Sequence, residues 1–78
     1  AFTVTRDGTA EGRLTWSSST VDLDLELWRG TTKVASSDGV TTQEVVTTTV
    51  TPGSYEWRVV YYSGATTQNY SLAVTRPN

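Results

Sequence analysis

Four acidic side chains fall where paired carboxylates could do chemistry: Asp22, Asp24 and Glu26 alternate along one segment, and Glu56 sits on another. Two carboxyl groups facing each other across a cleft are the minimum apparatus of glycoside hydrolysis. The same oxygens could hold a hard cation such as calcium. Residues i and i+2 of a strand stand about 6.6–6.8 Å apart, too far for one ion with ~2.4 Å bonds held only by adjacent same-strand carboxylates. A loop ligand such as Asp38, or a neighbouring-strand ligand such as Glu56, would have to complete the site. The sequence therefore leaves calcium open and defines no metal ligand set. A simpler reading makes these acids the solvated face of an amphipathic strand, because Leu23, Leu25 and Leu27 alternate with them.

Other catalytic apparatus is missing. The 78 residues include no His and no Cys, which removes Ser-His-Asp and Cys-His catalysis, histidine acid–base work, zinc sites of the usual composition and disulfides. The six glycines occur singly, so there is no Gly-rich phosphate loop. A chain this short buries only about 60% of its unfolded surface, leaving little room for a deep pocket beside a core. No catalytic activity and no resident cofactor are expected.

The aromatic residues are more informative: three tryptophans, four tyrosines and one phenylalanine. Trp16 and Trp57 alternate with apolar neighbours and read as core. Trp28 falls on the polar side of its segment, beside Arg29-Gly30. Tyr61 and Tyr62 are adjacent, so a strand sends one to each face unless a bulge intervenes. An outward Trp and Tyr suit stacking on sugar rings or on the prolines of a fibrous protein, with nearby charged groups bonding hydroxyls. The candidate ligand-binding set is accordingly Trp28, Tyr62, Arg58, Glu56 and Asp24. The competing reading makes the two aromatics caps over the rim of the core.

The elements that position these residues follow from patterning. Hydrophobic residues make up 36% of the chain and charged ones 18%, with a net charge of −2. That is too apolar for a disordered segment. Lys and Arg are scattered, leaving no footprint for nucleic acid or an anionic membrane, and no apolar run is long enough to span a bilayer. Seven alternating segments are legible: 2–6, 12–16, 22–28, 32–36, 44–50, 54–62 and 69–75. Between them lie Asp7-Gly8, Arg29-Gly30, Asp38-Gly39, Pro52-Gly53 and Ser63-Gly64. Asp-Gly suits primed hairpin turns, and Pro52-Gly53 suits a type II turn with positive φ at Gly53. Short strands at this spacing predict one all-β, antiparallel β-sandwich over residues 1–78, monomeric. Alternation assigns to the core Phe2, Val4, Leu14, Trp16, Leu23, Leu25, Leu27, Val34, Val46, Val50, Tyr55, Trp57, Val59, Leu72 and Val74. The opening Ala1-Phe2-Thr3-Val4 falls mid-pattern, as expected of a module cut from a longer precursor.

Four ordered motifs carry a family likeness. Val21-Asp22-Leu23-Asp24-Leu25-Glu26-Leu27 is followed by Val34-Ala35-Ser36-Ser37, then by Val50-Thr51-Pro52-Gly53-Ser54-Tyr55-Glu56-Trp57-Arg58-Val59, and last by Tyr70-Ser71-Leu72-Ala73-Val74. In this order they resemble the bacterial pre-peptidase C-terminal domain family, over about Gly12 to Thr75. The resemblance implies a jelly-roll-like sandwich attached to a secreted, extracellular hydrolase, most often a peptidase and also chitinases and other polysaccharide-degrading enzymes. The partners it implies are the parent catalytic domain in the same precursor and an insoluble polysaccharide or fibrous protein. It also admits a spacer removed during maturation. Related domains of bacterial collagenases bind calcium partly through an acidic segment before the first strand. Here only Ala1 precedes Phe2, so that calcium site is not carried over.

Overall fold

Alternation sends every second side chain of each segment inward, and the computed structural model closes these faces into two antiparallel sheets. It describes residues 2–17, 21–37, 39, 42–63 and 69–77, without the side chains of Tyr62 and Ser63. The strands are β1 (Phe2–Val4), β2 (Gly8–Trp16), β3 (Asp22–Arg29), β4 (Thr32–Ser37), β5 (Gln43–Val50), β6 (Gly53–Ser63) and β7 (Tyr70–Thr75). One sheet runs β1-β6-β3-β4 and the other β5-β2-β7. The pairs β1–β6, β2–β5 and β3–β4 are those of one long hairpin wrapped around itself, and β7 returns against β2. That is the jelly-roll way of turning a ribbon into a sandwich.

Among the described residues, one turn signal makes a tight hairpin within a sheet. Arg29 pairs with Thr32 across Gly30-Thr31, with Gly30 at φ +59°. Positive φ at the first central position alone fits a type II′ turn, which matches strand twist. Asp7-Gly8 and Pro52-Gly53 instead connect strands of different sheets, while Asp38 of Asp38-Gly39 and Gly64 of Ser63-Gly64 lie outside the described residues. Gly8 is already the first residue of β2, four residues before the expected start. Gly53 opens β6 without positive φ, so the type II turn is not formed.

The Pro52 corner is held by side chains. Tyr55 is 4% exposed, and its hydroxyl donates to Thr51 O (2.8 Å) and accepts from Thr51 N (3.2 Å). This is a tyrosine corner, which fixes the chain as it passes between sheets. Arg29 clamps the same corner through Thr51 Oγ1 and Pro52 O, both at 2.9 Å.

The core has two parts. Leu14, Trp16, Val21, Leu23, Leu25 and Val46 form one, and Val4, Ala10, Leu27, Val50 and Tyr55 the other. Ala35 and Trp57 are half-buried and pack against both. Each large side chain buried this way contributes roughly 1.5–3 kcal/mol.

Several residues expected in the core lie elsewhere. Val34 is 41% exposed because the β3–β4 register shifts between Leu27 and Trp28, which places Ala35 opposite Leu27 and turns Val34 outward. Val74 faces inward beside Gly12, yet is 49% exposed, since β7 is a sheet edge with little above it. Phe2, Trp57, Val59 and Leu72 are half-buried for the same reason: they line the side of the sandwich bounded by β1 and β7. On the opposite side β5 packs against β3 and β4 and closes the core.

Candidate functional site

The outer face of the four-stranded sheet carries most of the residues singled out from sequence. Register sets Trp28 beside Glu56 and Glu26 beside Arg58 across β3 and β6. The Arg58 guanidinium lies 4.2 Å from the Trp28 ring centroid, and Arg58 Nε donates to Glu56 Oε1 at 2.5 Å. Trp28 Nε1 donates to Glu26 Oε1 at 2.8 Å, and Lys33 on β4 pairs with Glu26 at 3.5 Å. The Arg58 hydrogen bond, and then its positive charge, hold the Glu56 carboxyl below its ordinary range.

This arrangement changes the sequence reading of Trp28. The indole is half-buried and one face is already occupied by a cation, so a sugar ring would have to displace Arg58 before stacking there. Glu26 and Lys33 complete the patch. Asp24 lies farther along β3 opposite Val60 and belongs to a different cluster. The side chain of Tyr62 lies outside the described residues.

A second site candidate is the open side of the sandwich. A groove between the sheets is lined by Phe2 on β1, Trp57 on β6, Val74 and Thr75 on β7, and Arg76. The Phe2 ring stacks against those of both Tyr55 and Trp57, with centroids at 5.8 and 6.4 Å and interplanar angles of 22° and 17°. Arg76 sits over Phe2 at 5.5 Å. Toward the other end of these strands, Tyr61 and Tyr70 also take inward-facing register positions yet remain 42% and 52% exposed. A shallow depression beside Tyr70 is bordered by Thr15, Ser17, Asn69 and Ser71. Sequence alternation puts Tyr70, Leu72 and Val74 on one face, but the incomplete cover above them is tertiary.

The third candidate is acidic. One carboxylate oxygen each from Asp22, Asp24 and Glu44 lies within 4.8 Å of the other two. Asp22 and Asp24 project from β3 just beyond the end of its pairing with β4. Glu44 occupies an inward position on β5 and is 2% exposed. Its Oε1 accepts from Ser37 Oγ (2.5 Å) and from the Gly39 backbone N–H (3.1 Å). The same-strand spacing that argues against a shared ion holds for Cα atoms. Here the carboxylates converge where the β3–β6 register shifts, between Asp22 and Leu23. Glu56, the neighbouring-strand ligand considered from sequence, is instead bound to Arg58, and Asp38 lies outside the described residues. Glu44 is the residue sequence reasoning missed. Its signal was available: it shares the inward register of Val46 and Val50.

Among the described residues, no paired carboxylates face each other across the aromatic groove, and Arg76 is the one charged residue in its lining. No family model, curated protein or solved structure matches the chain, so its functional reading rests on these three surfaces.

Proposed function

We propose that this domain is a non-catalytic accessory module of a secreted hydrolase and holds its parent enzyme on an insoluble polysaccharide. The observation that carries the reading is the open side of the sandwich. Phe2, Trp57 and Val74 line a groove there, and Tyr61 and Tyr70 stay exposed although their register points inward. Apolar side chains left uncovered together mark an interaction surface. Aromatic faces bordered by Thr75, Arg76, Ser71 and Asn69 match a sugar polymer, which offers flat C–H faces ringed by hydroxyls. The lack of His and Cys supports the non-catalytic part, and the ordered motifs that resemble pre-peptidase C-terminal domains support the secreted setting.

Retention of the domain on insoluble chitin, cellulose, xylan and collagen tests this directly. The parent is expected to be held by at least one of the polysaccharides. Tyr70→Ala, at an exposed position, should weaken retention about tenfold, which corresponds to ~1.4 kcal/mol, with little change in melting temperature. Trp28→Ala should leave retention intact. Release by Trp28→Ala but not by Tyr70→Ala would move the ligand to the outer face. Retention on collagen alone would replace the polysaccharide with a fibrous protein, and no retention at all would leave the spacer role.

A further inference from the structure

Glu44 is an unusual residue for a sandwich interior. An ionised carboxylate is buried at high cost unless it is hydrogen-bonded and its charge is paired. Ser37 and Gly39 satisfy Glu44 Oε1, but Oε2 is buried without a hydrogen-bond partner, and so is Asp22 Oδ1. Among the described residues, no Lys or Arg forms an ion pair with Asp22 or Glu44. These unsatisfied oxygens belong to residues whose carboxylates, with that of Asp24, come within 4.8 Å of one another. Carboxylates brought this close repel one another when ionised, and a bound cation relieves that repulsion.

We propose that Asp22, Asp24 and Glu44 form a calcium-class divalent-cation site joining the two sheets. Calcium takes oxygen ligands at 2.3–2.6 Å, so two oxygens on opposite sides of one ion stand about 4.6–5.2 Å apart. Three oxygens within 4.8 Å of one another share a centre no more than about 2.8 Å from each, so a small inward turn of the side chains brings all three to the calcium bond length. The site lies where β4 ends at Ser37 and the chain crosses to β5. It therefore links β3 of one sheet to β5 of the other, in a chain with no disulfide to do so. This inference concerns stability and stands apart from the polysaccharide reading.

The test is calcium itself, added to the metal-stripped 78-residue domain. With a dissociation constant on the order of 10⁻⁴ M, the range of extracellular calcium modules, 10 mM calcium should raise the folded-to-unfolded ratio about 100-fold. The melting temperature should rise visibly over that in EDTA. Magnesium, which dehydrates reluctantly, should give a smaller shift, and sodium at matched ionic strength none. Terbium(III), which replaces calcium at oxygen sites, gives an independent reading by emission sensitised through Trp16. That indole N–H bonds the Val21 carbonyl next to Asp22 at 2.9 Å. Glu44→Gln keeps the size of the side chain and an acceptor for Ser37, and should abolish both the calcium shift and the terbium emission. If Glu44→Gln does not fold, Asp22→Asn, at the half-buried end of β3, serves the same purpose. Equal melting of the parent in EDTA and in 10 mM calcium, without terbium emission, overturns the proposal. So does a calcium response that both variants retain.

Discussion

Gly12→Ala tests how the two sheets meet. Gly12 is buried on β2, and a Cβ there would stand 2.8 Å from Trp57 Cη2 and Cζ3 and 3.1 Å from Leu25 Cδ2. Neither neighbour can yield easily. Leu25 is fully buried, and the Trp57 ring is backed by Phe2 in a stack with centroids 6.4 Å apart. Forcing a methyl into such a contact costs about 1–3 kcal/mol. In an unobstructed site the same change would stabilise by ~0.4–1 kcal/mol, through the lost freedom of glycine in the unfolded chain. The net expectation is a loss of about 1–2 kcal/mol, or roughly 4–16 °C in melting temperature for a domain of this size. In a Trp57→Leu background the obstruction is gone, and Gly12→Ala should become neutral or slightly stabilising. The coupling between the positions is then about 1–3 kcal/mol. Urea unfolding followed by circular dichroism and by fluorescence of Trp16 and Trp28 measures all four proteins. Equal cost of Gly12→Ala in both backgrounds would refute the packing of Trp57 over β2.

Three further outcomes follow from the same geometry. Tyr55→Phe should lose about 1–2 kcal/mol in urea unfolding, because it removes the buried hydroxyl that ties the Pro52 corner to Thr51 O. Arg58→Met should bring the Glu56 carboxyl back up toward its ordinary range, read by carboxyl NMR titration, and should alter the fluorescence of Trp28 as its covering cation is lost. The sign of the pH dependence follows from the lowered value. The Glu56–Arg58 contribution is present above the ordinary carboxylate range and fades as pH falls through the lowered one, and at this exposed position it is small.

Much of the fold is legible in the chain because strand alternation is local. Leu23, Leu25 and Leu27 against Asp22, Asp24 and Glu26 fix both the strand and its inward face, and all three leucines are buried. The seven segments, their antiparallel character and the inward positions of Trp16 and Tyr55 follow in the same way. The missing His and Cys likewise narrow the chemistry before any coordinates exist. What alternation cannot supply is the identity of the strand opposite. Asp7-Gly8 and Pro52-Gly53 mark a change of direction, but whether the next strand pairs in the same sheet or crosses to the other depends on how the whole ribbon wraps. Burial depends on that too. Val74 has an inward register and an exposed surface because its sheet ends at β7, while Val34 is turned outward by a register shift in the β3–β4 pair. Asp22, Asp24 and Glu44 are separated along the chain and are brought within 4.8 Å only when β5 crosses to the edge of β3. A side chain's facing is set by its neighbours in sequence; its cover and its partners are set by strands remote in sequence, and those only the tertiary structure decided.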